Sequence, residues 1–302
     1  MTPLPIFPEF KLLTLEDRSV IHERLWAYQP DTSELTFVNL YIWRNYYHFQ
    51  WSLHGDWLLV LAEHDERTFA LPPVGPASRL DVTRKLLRWL REGRGIAAPT
   101  IERADRRLAE DLAGADDLVV EEAREHFDYI YRSADLGQLA GRKYSKKRNH
   151  ISQFLREYTY TYAPLTEDLV QGCLDLAEVW CKQRLCEEDI SLQHEFCGIH
   201  DALTHLNVLS IEGGVILIDG KVQAFALGEL LNAQTAVVHI EKANPNFHGV
   251  YPMINKEFAG QRWQDVPFIN REQDLGDPGL RRAKESYYPD HLVEKYQVRS
   301  RE

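Results

Sequence analysis

Hydrophobic and polar positions alternate at two periods along this chain, and the switches between them mark out its elements. Phe10-Lys11-Leu12-Leu13 reads as a strand, and Thr14-Leu15-Glu16-Asp17 opens a helix with acids in its first turn. That helix carries Val20, Ile21, Leu25 and Trp26 to a stop at Gln29-Pro30. The aromatic-rich stretch Leu35–Tyr47 is expected to be helical, its rings belonging to the core. His48–Leu53, a Gly55-Asp56 turn and Trp57–Ala62 form a hairpin, and Thr68–Leu71 adds a strand before Pro72-Pro73. Val82, Leu86, Leu87 and Leu90 give an amphipathic helix; Arg103–Leu112 is a second candidate helix, and His126–Arg132 a strand.

The second half opens in the same way. Tyr158–Tyr162 alternates as a strand, and Leu165-Thr166-Glu167-Asp168 starts the helix Leu169–Trp180. Glu16-Asp17 and Glu167-Asp168 are then equivalent starts, 151 positions apart. Ile130-Tyr131-Arg132-Ser133-Ala134-Asp135-Leu136-Gly137 also matches Ile269-Asn270-Arg271-Glu272-Gln273-Asp274-Leu275-Gly276, at an offset of 139. Two matches in one order predict a duplicated domain. The boundaries expected are 1–140 for the first repeat, 141–158 for a basic linking helix and 159–302 for the second repeat. Within the second, Gly214–Ile218, an Asp219-Gly220 turn and Lys221–Leu227 make a hairpin. The order of elements predicts a mixed α+β fold, with no regular βαβ alternation.

The central stretch is Ala236-Val237-Val238-His239-Ile240, a buried strand leading through Asn244-Pro245-Asn246 and Gly249 into a helix with Tyr251, Ile254 and Phe258 on one side. A strand-loop-helix passage of this kind presents free backbone amides and a helix dipole to an anion. The alternative is an ordinary turn.

Composition adds limits. The 302 residues hold 33 aromatics and 44% hydrophobic positions, enough for two cores. The longest apolar run, Trp57–Ala62, is far below the ~18 residues of a membrane helix, and Met1–Pro5 lacks the charged and apolar parts of a signal peptide, so a cytoplasmic location is expected. A net charge of −11 argues against general nucleic-acid binding. Against it stands a local run, Arg142, Lys143, Lys146, Lys147 and Arg148, that is either a phosphate-contacting patch or a solvated helix face. Cys186, His194, Cys197 and His200 lack zinc-site spacing. No metal is expected, and the four cysteines, Cys173 and Cys181 included, are read as free thiols.

This order of elements resembles the GNAT acyltransferase fold. A closer resemblance, over most of the chain, is to the bacterial family related to the C-terminal domain of phosphatidylglycerol lysyltransferases, with tandem GNAT repeats. It is carried by Gly141-Arg142-Lys143-Tyr144-Ser145-Lys146-Lys147-Arg148-Asn149-His150, Glu241-Lys242-Ala243-Asn244, Gly249-Val250-Tyr251-Pro252-Met253-Ile254-Asn255, Asn270-Arg271-Glu272-Gln273-Asp274-Leu275-Gly276 and Gly279-Leu280-Arg281-Arg282-Ala283-Lys284-Glu285-Ser286-Tyr287-Tyr288-Pro289. The resemblance implies tandem GNAT-like repeats, each a mostly antiparallel twisted sheet flanked by helices. It implies transfer of an aminoacyl group from aminoacyl-tRNA to an amine or hydroxyl, on a small molecule or a lipid headgroup. The other activity open to the fold uses acyl-CoA, and a non-catalytic binding module is the third reading. No tightly bound cofactor is implied.

Such a transfer needs a neutral nucleophile, stabilisation of the oxyanion and a proton for the leaving hydroxyl. Glu241, Arg271, Glu272 and Lys284 are the candidate catalytic residues. Glu241 would accept a proton or hold a substrate ammonium, unless it merely pairs with Lys242 or Arg271. Lys284 would stabilise the oxyanion or bind phosphate. Asn244, Phe247, His248, Gly249, Val250, Tyr251 and Asn255 form the candidate donor-binding or phosphate-binding loop and helix start.

Overall fold

The computed structural model describes residues 4–184, 186 and 189–301. The first half runs β1 (Lys11–Leu12), α1 (Arg18–Tyr28), α2 (Phe37–Ile42), α3 (Arg44–Tyr47), β2 (Gln50–His54), β3 (Trp57–His64), β4 (Arg67–Ala70), α4 (Leu80–Glu92), β5 (Thr100–Ala104), α5 (Arg106–Asp111), β6 (Leu118–Glu122) and β7 (Asp128–Arg132). Next come α6 (Ser133–Gln138), α7 (Ser145–Glu157), β8 (Tyr160–Pro164), α8 (Glu167–Gln183), α9 (Ile190–Thr204), α10 (Leu206–Leu209), β9 (Glu212–Ile218), β10 (Lys221–Asn232) and β11 (Thr235–Ala243). The chain closes with α11 (Val250–Arg262), β12 (Phe268–Asn270), α12 (Pro278–Glu285), β13 (His291–Val293) and β14 (Tyr296–Ser300).

Contacts group the chain into two compact units, and neither is continuous in sequence. The first takes the chain up to Asp128, then Gln273–Gly276 and everything from Val293 on; the second takes Tyr129–Glu272 and Asp277–Leu292. Residues 129–140 and the basic helix α7 therefore lie in the second unit.

In the first unit the strand order is β1-β2-β3-β4-β5-β14-β6. β14 comes from the far end of the sequence, yet Val298 faces Ile101 on one side and Val120 on the other. Helix α4 lays Val82, Leu86, Leu87 and Leu90 into a core with Leu59, Leu61, Ile101 and Val298, the spacing expected of an amphipathic helix. Of the candidate helix Arg103–Leu112, only Arg106–Asp111 is helical; Arg103 and Ala104 belong to β5, and Asp105 caps the helix by accepting from the Leu108 amide.

The second unit has the order β13-β7-β12-β11-β10-β9-β8, and from β7 to β8 it is antiparallel except for the β11–β12 pair. That parallel pairing covers only Thr235–Val237 against Phe268–Asn270, after which β11 runs on without β12. A bulge shifts the β10–β11 register, with Leu227 opposite Ile240 and Gly228 opposite Val238, so His239 is the extra residue. Helices α6, α7 and α11 cover one face through Leu136, Ile151, Phe154, Met253, Ile254 and Phe258.

The match of 130–137 with 269–276 does not mark equivalent positions. β7 and β12 are antiparallel neighbours in one sheet, with Tyr131 opposite Ile269, and the segment after β7 is helix α6 whereas Gln273–Gly276 is a loop. The strands in corresponding places are β5 and β12, each parallel to the strand that precedes a long helix.

Candidate active site

The end of β11 sets up the site. Glu241 stands opposite Ala226 and Lys242 opposite Phe225, so alternation sends them to opposite faces of the sheet. Lys242 is buried against Trp180, its ammonium 3.4 Å from the ring centroid, and pairs with Glu195 at 2.6 Å; it is not the partner of Glu241. Glu241 faces α11 instead. Its Oε1 accepts from Arg271 Nη2 at 3.2 Å and its Oε2 from Asn255 Nδ2 at 3.1 Å. Arg271 follows β12, so this ion pair spans the gap left where β12 ends.

Two tyrosines wall the pair. The Arg271 guanidinium lies 4.9 Å from the Tyr287 ring centroid and 5.8 Å from that of Tyr131. Burial raises both phenols above their ordinary range. Lys284 donates to the Arg271 carbonyl, and Tyr131 Oη donates to the Lys284 carbonyl at 2.8 Å, which ties the end of α12 to this corner. Asn255 is buried, and its Oδ1 is an acceptor with no hydrogen-bond partner among the described residues. Such an atom costs free energy until a donor reaches it.

Glu272 also meets a histidine of the neighbouring strand. Its Oε1 accepts from His239 Nδ1 at 2.8 Å, while Nε2 of the same ring contacts Glu229 Oε1 at 3.1 Å. The bulge places His239 where two carboxylates reach it. Burial alone would keep the imidazole neutral, but the hydrogen bonds and charges of Glu229 and Glu272 prevail and raise its pKa to about 9.

The loop ahead of α11 is less open than the sequence suggests. The Asn246 amide donates to Asn244 Oδ1 at 3.1 Å, the Phe247 amide to the Asn244 carbonyl at 3.1 Å and the Val250 amide to the Phe247 carbonyl at 3.2 Å. Asn244 Nδ2 is spent on Gln223 Oε1 at 2.9 Å. The Asx turn thus takes up the Asn246 amide, and the loop's own carbonyls take up those of Phe247 and Val250. Phe247 packs on Tyr158, His248 meets His150 at 3.1 Å, Val250 is buried and Tyr251 is half-exposed at the helix start. Gly249 sits at φ +83°, where a Cβ would come within 2.5 Å of the His150 carbonyl oxygen, so α11 starts pressed against α7.

The basic run divides. Lys143 pairs with Asp135 at 3.1 Å, and Arg148 donates to the carbonyls of Leu139 and Gly141. Arg142 and Lys146 are exposed. Lys147 turns into the site, its Nζ 3.8 Å from the Tyr287 ring centroid. The signal for this was present in the sequence: Lys147, Ile151 and Phe154 share one helix face, and the last two are core. Tyr287 and Tyr131 had no signal beyond being aromatic.

Among the described residues no cluster of His, Cys, Asp and Glu could hold a metal ion, and no helix is long and apolar enough to cross a membrane. Cys181 and Cys186 are joined in a disulfide, against the expectation of free thiols; Cys173 and Cys197 remain free. A separate polar cavity of about 210 Å³ lies in the first unit, between Arg67, Glu102, Arg103, Glu121 and His126, and contains none of the sequence candidates.

Comparison with known proteins fits this geometry. A crystal structure of a conserved protein of unknown function from Bacteroides thetaiotaomicron is 35% identical, covers 97% of this chain and 99% of its own, and superimposes with a TM-score of 0.89. The C-terminal domain of a putative lysylphosphatidylglycerol synthetase from Agrobacterium fabrum is 14% identical, with coverage of 95% and 92% and a TM-score of 0.65. FemX is 10% identical, with coverage of 96% on both sides and a TM-score of 0.59. An uncharacterized protein of Mycoplasmoides gallisepticum is 19% identical over 178 residues, so this chain spans about half the length of that relative, 56%. Both units carry GNAT-like architecture, two mostly antiparallel sheets flanked by helices. The model of the phosphatidylglycerol lysyltransferase C-terminal family matches residues 27–299, and the chain belongs to that family.

Proposed function

We propose that this protein transfers an aminoacyl group from aminoacyl-tRNA to an amine or hydroxyl acceptor in the gap between β11 and β12 of the second unit. The observation that carries the reading is the pairing of acceptors and cations at one place. Glu241 and the unpartnered Asn255 Oδ1 are acceptors that suit the α-ammonium of an aminoacyl group, a feature an acetyl group lacks. Arg271, beside them, suits the negative charge that develops on the ester carbonyl oxygen. In this reading Glu241 binds and orients the donor, Arg271 holds the oxyanion, and Lys284 fixes the corner by its bond to the Arg271 carbonyl. The acceptor is a small molecule or a lipid headgroup.

The loop before α11 favours this donor over acyl-CoA, since the Asn246, Phe247 and Val250 amides, three of those at the loop and helix start, are bonded within the loop. Binding assays separate the readings. Aminoacyl-tRNA binding that falls steeply with salt, and weakens in Lys146→Ala, supports the transferase. Acetyl-CoA binding without tRNA binding favours an acyl-CoA enzyme, and retention of neither leaves a non-catalytic module.

A further inference from the structure

Lys147 is the one member of the basic run that the patch does not explain. Half-buried on α7, it has no ion-pair partner among the described residues, and its ammonium sits over the Tyr287 ring at 3.8 Å while Arg271 sits over the same ring at 4.9 Å. Two cations on one aromatic ring, with the single carboxylate Glu241 already shared by Arg271 and Asn255, is an arrangement in which one cation gains by losing its proton.

We propose that Lys147 is the proton carrier of the transfer, taking the acceptor's proton as a neutral amine and returning it to the leaving oxygen as an ammonium. The proposal rests on the aminoacyl-transfer reading and adds the group that moves the proton. As the acceptor nitrogen or oxygen bonds to the ester carbonyl carbon, its N–H or O–H proton passes to Lys147 Nζ. When the ester C–O bond breaks, the same proton passes to the ribose oxygen, and the lysine is neutral again. No oxidant or further reactant enters.

The neighbouring groups are unsuited to the task. The Arg271 guanidinium stays charged, the Tyr287 phenol is raised by burial, and Glu241 is committed to two donors. Three ionisable groups face Lys147: Glu241 of β11, Arg271 beyond β12 and Tyr287 beyond α12. The other helix packed on α7, α11, brings the neutral Asn255 to the site. Burial lowers the Lys147 pKa first and the Arg271 charge lowers it further, against an opposing pull from Glu241; the result is about 8. A carrier in that range holds and releases a proton near neutrality.

The test uses the full chain. Lys147→Arg keeps the charge but cannot give up a proton near neutral pH. With aminoacyl-tRNA as donor, kcat is expected to fall about 100-fold or more in both Lys147→Arg and Lys147→Met, with KM within about threefold, and ethylamine should restore part of the rate in Lys147→Ala. A Lys147→Arg enzyme within about threefold of the wild-type kcat overturns the proposal and leaves the transferase reading intact. A second readout does not depend on turnover. Trace acetylation with acetic anhydride across pH, read by peptide mass spectrometry, should give a Lys147 midpoint near 8, below the ordinary lysine value of 10.5, that moves up in Arg271→Met. A Lys147 midpoint at the ordinary lysine value of 10.5 overturns the proposal. A low midpoint in a protein that transfers nothing refutes both the transferase reading and the carrier role.

Discussion

Glu241 and Arg271 hold each other at 3.2 Å across the opening where β11 outruns β12. Each is mostly buried, so each depends on the other for its charge to be tolerated. The parallel pairing stops at Val237 and Asn270, and the pair sits just beyond that stop.

Replacing Glu241 by Gln leaves Arg271 without its carboxylate. The expected outcome is a loss of about 2 kcal/mol in urea unfolding, together with a drop in transfer of roughly 100-fold. Adding Arg271→Met to Glu241→Gln should recover most of the stability and none of the activity. Equal stability of the single and double variants would show that the pair is energetically idle.

Gly249→Ala tests the start of α11. An L-residue at φ +83° is strained, and the new Cβ would meet the His150 carbonyl oxygen at 2.5 Å. The variant should lose at least about 1–2 kcal/mol and weaken donor binding by moving α11, and Asn255 with it, away from Glu241. A Tm unchanged from wild type would contradict this packing.

His239 makes stability depend on alkaline pH. Its folded pKa, raised to about 9 by Glu229 and Glu272, lies above the ordinary value of 6.5. The stabilisation is therefore complete below about pH 6.5 and is lost as pH rises through 9, on the order of 2–3 kcal/mol in all. Thermal unfolding followed from pH 7 to 10 should show this fall in the wild-type protein and little of it in His239→Gln.

In the first unit, Lys295 is fully buried with its ammonium 2.6 Å from Glu34 and 2.7 Å from Asp128. Lys295→Met takes the ammonium away from two buried carboxylates and should cost about 3–5 kcal/mol. The loss should appear in the unfolding of the first unit, read from the amide exchange of β5, β6 and β14. Protection unchanged in those strands would contradict the assignment.

What could be read from the sequence was local. The hairpin at Asp219-Gly220, the α4 stripe and the strand-loop-helix around Gly249 each announce themselves within about fifteen residues, the range over which periodicity and turn chemistry act. β14 could not be placed in that way, because Tyr296–Ser300 pairs with strands nearly two hundred positions earlier and its short pattern does not say where it docks. The repeat of Arg-x-x-Asp-Leu-Gly misled for a related reason. It joins two segments that are neighbours in one sheet, and identity of residues carries no register.

At the site, strand ends pointed to Glu241 and Arg271, and the structure brings them together. The contact of Glu272 with His239 could not be read in advance, because the bulge that places His239 there is invisible in the sequence. Two of the loop amides, those of Asn246 and Phe247, are taken locally by Asn244, a turn that the loop's composition alone does not fix. Lys147 was visible only as charge until its helix face was compared with that of Ile151 and Phe154.

The most direct test of the account is the loss of ester-linked amino acid from aminoacyl-tRNA in the presence of a panel of amine and hydroxyl acceptors. The account predicts acceptor-dependent loss with the wild-type protein, about 100-fold slower with Glu241→Gln and with Lys147→Arg. Ester loss at the uncatalysed rate for every donor and acceptor, by a protein shown to be folded, would contradict it.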